Sequence, residues 1–289
     1  MASFMHMVQF GLAAGASIPT REIVPGVHMP YASIGTWTSG TTGETENATD
    51  IVTKWLELGH RGIDTALIYN DQAEIGRVIA SSGLAREDLF ITSKIPVCEP
   101  LTAGSAVESD LHKLNVSYID LMLIHSAIGF PGMCAATWKV LEGYVATGQL
   151  RAIGVSNYNA DQLQDILDSA TVPVAVNQIE YNPFSHDENV ISFCHQRNIT
   201  VEAWSPLGGG SGGKTVFSDS TIQSIASSHG VSAAQVGLRW IVQRGDMYTV
   251  LSSNQDHQAN DADVWSFSLN DEEMQSITEV QNAPSHLVV

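Results

Sequence analysis

Short apolar runs rich in Val, Ile and Leu alternate along the chain with longer segments whose apolar residues recur at helical spacing. The runs predict strands at Ser33–Thr36, Gly62–Thr65, Phe90–Ser93, Ile119–Ile124, Ala152–Val155, Ala175–Gln178, Thr200–Ala203 and Tyr248–Leu251. The segments between them predict helices near Thr45–Leu58, Ala73–Ser82, Gly104–Leu114, Ala135–Thr147, Ala160–Asp168, Glu188–Arg197 and Ala233–Arg244. No strand run alternates strictly between apolar and polar residues, which is the pattern of strands buried on both faces. Strand and helix in unbroken alternation predict an α/β fold, a (β/α)8 TIM barrel in one domain. The barrel is assigned residues 21–289, behind a loosely ordered extension over residues 1–20. A doubly wound open sheet competes, but it would usually show Gly-x-Gly-x-x-Gly after its first strand. Here the glycines follow the seventh strand, from Gly208 to Gly213, and read as a flexible loop.

Charge and cysteine content narrow the functional classes. Thirteen basic residues stand against 31 acidic ones, for a net charge of −18. A nucleic-acid binder needs a basic face, so that class is disfavoured. No run approaches the roughly 20 apolar residues of a membrane span. Cys98, Cys134 and Cys194 are odd in number, far apart and without metal-binding spacing. They predict reduced thiols and a cytoplasmic protein. The first 20 residues carry no Lys or Arg before Arg21, so the positive region of a secretory signal is missing. With no His-Glu-x-x-His and no His/carboxylate cluster, no metal site is expected. His60, His112, His195 and His229 read as solvated surface residues.

Barrel enzymes place their chemistry at the C-terminal ends of the strands. At those ends stand Asp64 and Tyr69 after the second strand, Lys94 at the third and His125 at the fourth. Each has an ordinary explanation alone: a helix cap, a packing aromatic, a solvated lysine, a core histidine. On adjacent strands of one barrel they would converge, and together they suit carbonyl reduction. A developing alkoxide needs a proton, and a phenol of reference pKa about 10 is a reluctant donor. An ammonium at Lys94 would lower that value, and a carboxylate at Asp64 would hold the ammonium charged. His125 would hydrogen-bond and orient the substrate oxygen. Tyr69 is then the acid.

These residues resemble the aldo-keto reductases, over a stretch from about Ile34 to Met274. Gly62-Ile63-Asp64-Thr65-Ala66 with Tyr69, Ile91-Thr92-Ser93-Lys94, and Tyr118 to His125 are similar to the family segments that bear its catalytic tetrad. Gly154-Val155-Ser156-Asn157, Asn177 to Pro183, and Ala203-Trp204-Ser205-Pro206-Leu207-Gly208 match three further signatures. The resemblance implies Asp64, Tyr69, Lys94 and His125 as the tetrad, and a small-molecule carbonyl substrate. It implies that Ser156, Asn157 and Gln178 hold a nicotinamide carboxamide and that Trp204 stacks on the ring. Thr36 would approach the nicotinamide, Trp37 would line the substrate pocket, and Ser205, Leu207 and Gly208 would pass beneath the pyrophosphate. A monomer is implied as well. A catalytically silent, nicotinamide-binding regulatory or structural barrel is the alternative, since fold does not fix function.

The chain departs from the family in places that matter. Trp204 stands for the usual tyrosine, and an indole can still stack. Ser126 follows His125 where the family commonly has tryptophan, implying a wider or more polar pocket, and a short tail after Glu273 implies an open one. NADP(H) is the family default, yet Ser252 stands at the expected lysine of the 2′-phosphate site, and His257 or Gln258 at the expected arginine. No Lys or Arg follows Arg244. The phosphate would have to be met by hydroxyls at Ser252 and Ser253, by helix-start N–H groups near Asp256, and by Lys214 swung in on the glycine-rich loop. Lys54 falls on a helix. Weakened NADPH preference, with NAD(H) or dual use, is the expectation.

Overall fold

The computed structural model describes residues 18–37, 47–209 and 213–282. The chain enters through a hairpin, β1 (Thr20–Val24) and β2 (Val27–Pro30), that the periodicity did not predict. The predicted apolar runs follow as β3 (Ala32–Gly35), β4 (Gly62–Asp64), β5 (Phe90–Ile95), β6 (Ile119–Ile124), β7 (Leu150–Ser156), β8 (Val176–Glu180), β9 (Thr200–Trp204) and β10 (Met247–Val250). They pair in parallel and in sequence order, and β10 closes onto β3, so β3 to β10 form a barrel. The extension assigned to residues 1–20 lies outside the described residues as far as position 17.

Around the barrel run α1 (Ala48–Glu57), α2 (Gln72–Ser81), α3 (Pro100–Leu114), α4 (Met133–Ala146), α5 (Ala160–Leu167), α6 (Glu188–Gln196) and α8 (Ala233–Gln243), close to prediction. Thr45 and Glu46, the predicted start of the first helix, fall outside the described residues; α1 begins after Asn47, whose side chain accepts the Thr49 N–H. Three further helices were not predicted from the sequence: α7 (Ser220–His229), α9 (Gln255–Ala262) and α10 (Asp271–Glu279). Side-chain caps set all three, from Asp219, Asn254 and Asn270 respectively.

Two apolar layers hold the barrel. The outer one lies between sheet and helices and includes the fully buried Trp55 and Trp138. The inner one fills the barrel floor, where Ile23, Val27 and Met29 of the hairpin pack against Phe90, Leu121, Leu123, Val176 and Met247. Each such side chain contributes about 1.5–3 kcal/mol on burial. Packing in the barrel is tight enough to require glycine at 154, where a Cβ would meet the Val176 carbonyl oxygen at 2.5 Å. With the floor plugged by hydrocarbon, polar residues collect at the opposite end.

The thiol expectation is corrected for two of the three cysteines. Cys98, after β5, and Cys134, in the first turn of α4, form a disulfide with Cα atoms 4.6 Å apart. They are distant in sequence, but β5 and β6 are barrel neighbours, so the loops that leave them touch: the Cys98 N–H donates to the Ile128 carbonyl at 3.0 Å. Cys194 is free and buried. The thiol argument for a cytoplasmic location therefore no longer holds.

Candidate active site

Register carries the four strand-end residues to the barrel mouth. Asp64 is the last residue of β4 and pairs with Gly35 and Thr92. Lys94, next to last in β5, is fully buried and points inward. Its ammonium donates to Asp64 Oδ1 at 2.5 Å and to the Thr65 carbonyl at 3.0 Å. Burial pulls the ammonium's pKa down, but the Asp64 carboxylate and then Tyr69 outweigh it, and the group is held above its usual value. Lys94 is thus a buried cation with one of its three hydrogens left to direct at Tyr69, whose ring centre lies 5.3 Å from Nζ.

Tyr69 ends a short 3₁₀ turn, Leu67–Tyr69, that stops at Asn70 in the left-handed region (φ 59°). That conformation suits asparagine better than most residues. The ring is wedged between Trp37, with centroids 4.7 Å apart, and His125, edge-on at 5.8 Å. The expected lowering of its pKa by Lys94 is present but is not the net result. Burial raises the phenol's pKa, Lys94 pulls it part of the way back, and Tyr69 stays above 10.0 and protonated. His125 is pushed down to about 4, first by burial and then by Lys94, so it is a neutral imidazole at pH 7.

A cavity of about 480 Å³ opens above these groups, lined among others by Thr36, Trp37, Asp64, Tyr69, His125, Ser156, Asn157, Gln178, Trp204, Ser205, Leu207 and Gly208. Its rim is apolar, with Trp37 and Leu251 about half exposed (44% and 51%). On the side of β7 to β9 the polar groups are hydrogen-bonded to one another. Ser156 Oγ donates to the Gln178 carbonyl at 3.0 Å. Asn157, left-handed at φ 63°, donates to the His125 carbonyl and accepts from Trp204 Nε1 at 2.9 Å, which fixes the indole plane. Gln178 Nε2 donates to Glu202 Oε2 at 2.7 Å and to Asp64 Oδ2 at 3.2 Å. Both amide hydrogens of Gln178 are engaged, so Oε1 is the atom left to accept a hydrogen bond. Glu202, on β9 and fully buried, had no signal in the sequence beyond its inward register opposite Gln178.

Four expected contacts stand outside this cavity. Ser126 turns its carbonyl toward Cys98 Sγ, at 3.8 Å, and does not line the pocket. Lys214 is exposed on the glycine-rich turn, where its carbonyl accepts the Gly209 N–H at 2.9 Å; Gly210–Gly212 lie outside the described residues. Ser252 and Ser253 lie beyond the rim, toward α9. The helix-start N–H groups of Asp256 and His257 are already capped by Asn254 Oδ1, at 2.8 and 3.2 Å, which corrects their reading as free phosphate donors. Gln258 is buried and donates to the Ile51 and Ser252 carbonyls. Lys54 lies on α1 as expected, and its ammonium donates to the Ser253 carbonyl at 2.8 Å, a contact with no signal in the sequence.

Of the four histidines read as solvated, His112 is exposed and the other three are engaged. His195 pairs with buried Asp246 at 2.7 Å, His229 with Glu273 at 2.8 Å, and His60 stacks on Trp55. Among the described residues no group of His, Cys, Asp or Glu forms a metal-binding cluster, and no helix is long and apolar enough to cross a membrane.

Fold and site together define an α/β-barrel with ionisable groups gathered at the C-terminal mouth, the place where barrel enzymes carry out their chemistry. The aldo/keto reductase family model matches residues 33–282, and the chain belongs to that family of oxidoreductases. It is 37% identical over 263 residues to a glyoxal reductase of Bacillus subtilis, covering 89% of this chain and 91% of that one. To a 9,11-endoperoxide prostaglandin H2 reductase of Trypanosoma cruzi it is 36% identical over 259 residues, 88% of each chain. A Bombyx mori aldo-keto reductase solved in complex with NADP superposes with a TM-score of 0.84 at 30% identity, over 93% of this chain and 95% of that one.

Proposed function

We propose that the protein reduces aldehydes or ketones to alcohols with a nicotinamide cofactor, Tyr69 delivering the proton. The observation that carries this reading is the buried Lys94–Asp64 pair beneath a protonated Tyr69 and a neutral His125. When bound, the cofactor supplies a hydride to the carbonyl carbon. The residues present suit it: Gln178 Oε1 is free to accept from a carboxamide NH2, and Trp204 is held flat for a ring to stack on. Ser205, left-handed at φ 49°, and Gly208 at φ 87° turn the chain beside the cavity where Leu207 also lies. As negative charge develops on the substrate oxygen, Tyr69 gives up its proton, and Lys94 stabilises the tyrosinate left behind. His125, being neutral, donates a hydrogen bond to that oxygen without competing as an acid. The apolar rim at Trp37 and Leu251 selects carbonyls with an apolar body. The Bombyx mori relative was solved in complex with NADP, and the lack of a Lys at 252 and of an Arg at 257 or 258 weakens an NADP(H) preference toward dual use with NAD(H).

Loss of reduced-cofactor absorbance with a panel of aldehydes tests the proposal, NADPH and NADH being run side by side. Turnover that Tyr69→Phe abolishes supports it. Tight cofactor binding without turnover by the wild type would favour a silent regulatory barrel.

A further inference from the structure

Beneath the mouth lies a second carboxyl group that the reaction as described does not use. Glu202 is fully buried on β9, and its Oε2 accepts a hydrogen bond from Gln178 Nε2 at 2.7 Å. The same amide nitrogen donates at 3.2 Å to Asp64 Oδ2, the carboxylate that holds Lys94. One side chain therefore ties Glu202, Asp64 and the cofactor side of the cavity together. The other oxygen, Glu202 Oε1, is buried without a hydrogen-bond partner among the described residues. The charged groups facing Glu202 are Asp64 on β4 and Lys94 on β5; β8 presents the neutral Gln178, and the β10 residue paired with it is Met247. Lys94 makes its ion pair with Asp64 and none with Glu202.

We infer that Glu202 is a positioning residue that holds a proton beside Asp64 and, through Gln178, fixes the orientation of the amide that receives the cofactor. The inference rests on the proposed nicotinamide-dependent reduction and extends it. Orientation follows from donor counting. Two carboxyl groups face one amide nitrogen, so Nε2 turns inward and Oε1 outward. Protonation follows from burial. An ionised carboxylate with one oxygen unsatisfied and a like charge one hydrogen-bonded residue away is strongly disfavoured. In accord, burial first and Asp64 second push Glu202 up to about 8. Above that pH a second anion appears under Tyr69. It opposes formation of tyrosinate and so slows proton delivery, and it attracts the positive ring of an oxidised nicotinamide.

Two variants separate the parts. Glu202→Gln keeps the shape and an oxygen for Gln178 but cannot ionise; Glu202→Leu keeps the burial and removes the acceptor. NADP+ binding, read by quenching of tryptophan fluorescence, is titrated from pH 6 to 10 alongside kcat/KM for aldehyde reduction, and thermal unfolding confirms that each variant is folded. The wild type should bind NADP+ at least threefold more tightly at pH 9 than at pH 7, a modest effect for one added charge within the barrel. Its kcat/KM should fall with a limb near pH 8. Glu202→Gln should lose the binding inflection and shift the limb upward, a change that a purely structural glutamate would not produce. Glu202→Leu should weaken NADP+ binding at every pH, by about tenfold. Superimposable pH profiles for wild type and Glu202→Gln overturn the proton-holding role, and unchanged NADP+ affinity in Glu202→Leu overturns the orienting role. Failure of the reductase reading shows separately, as absence of turnover in a wild type whose NADP+ binding still inflects; a wild type that binds no nicotinamide nucleotide overturns both.

Discussion

The Lys94–Asp64 pair allows stability and chemistry to be told apart. Lys94→Met removes the ammonium from a fully buried place and leaves the Asp64 carboxylate supported only by Gln178. Removing one partner of a buried ion pair destabilises by about 3–5 kcal/mol, because the remaining charge is uncompensated. For a chain of 289 residues the unfolding entropy is about 0.6 kcal/mol per kelvin, so Tm should fall by about 5–8 °C. Asp64→Leu alone should do the same for the opposite reason, stranding the ammonium with only the neutral Thr65 carbonyl and Tyr69 hydroxyl. The double variant, with neither charge, should recover much of both losses, since an apolar pair of similar volume often replaces a buried ion pair without penalty. Thermal unfolding followed by circular dichroism reads all four proteins. Turnover should behave differently: the double variant regains stability but remains about 10²–10⁴-fold slow, because Tyr69 has lost the cation that stabilises its anion. Losses in Tm that simply add in the double variant would refute the pair as the electrostatic unit described here.

Three further outcomes are expected. Lys54→Met should raise the Kd for NADPH up to about fivefold while leaving that for NADH little changed, the scale of a partly exposed charge contact; equal shifts in fluorescence titrations would show that Lys54 only anchors the loop at Ser253. Reducing the Cys98–Cys134 disulfide, or substituting Cys134→Ser, should lower stability by about 3–4 kcal/mol from loop closure alone. It should also raise KM for bulky aldehydes by loosening the loop after His125, and an unchanged Tm under a dithiol reductant would contradict this. His125 has a folded pKa of about 4, below its ordinary 6.5, so the unfolded chain binds that proton more readily. The stability it contributes is complete above pH 6.5 and is lost as pH falls toward 4. His125→Gln should therefore lose less Tm than the wild type between pH 7 and pH 4.5.

The barrel was legible because its strands are buried on both faces, and continuous Val/Ile/Leu runs between amphipathic segments record that burial directly. The convergence of Asp64, Tyr69, Lys94 and His125 was legible for a related reason: strand order fixes spatial order in a parallel barrel, so ionisable residues at successive strand ends must meet. What escaped notice has no one-dimensional signature. The hairpin β1–β2 is held by a few apolar residues against the barrel floor, too few to set a period. Helix α9, Gln-Asp-His-Gln-Ala-Asn-Asp-Ala, is polar apart from two alanines and is capped at its start by Asn254. Cys98 and Cys134 are separated by 36 positions and meet only because β5 and β6 are neighbours. Lys54 lies on the helix its periodicity predicts, but helical periodicity carries no hint that the side chain spans to the Ser253 carbonyl.

The same topology sets the electrostatics of the mouth. A closed barrel turns Asp64, Lys94, Gln178 and Glu202 toward one axis, where little water remains and unpaired charge is disfavoured. Two carboxyl groups share that space with one ammonium. The ammonium can compensate one carboxylate, so the second must either keep its proton or leave the site with a net negative charge. Lys94 bonds directly to Asp64, which makes Glu202 the group that keeps the proton. A neutral Glu202 leaves the buried cluster without net charge while Tyr69 is protonated, and the positive end of the Lys94–Asp64 pair is then available to the tyrosinate when its proton departs. On the proposed reading the acidity of Tyr69 is thus governed from beneath, by a buried carboxyl group that does not line the cavity.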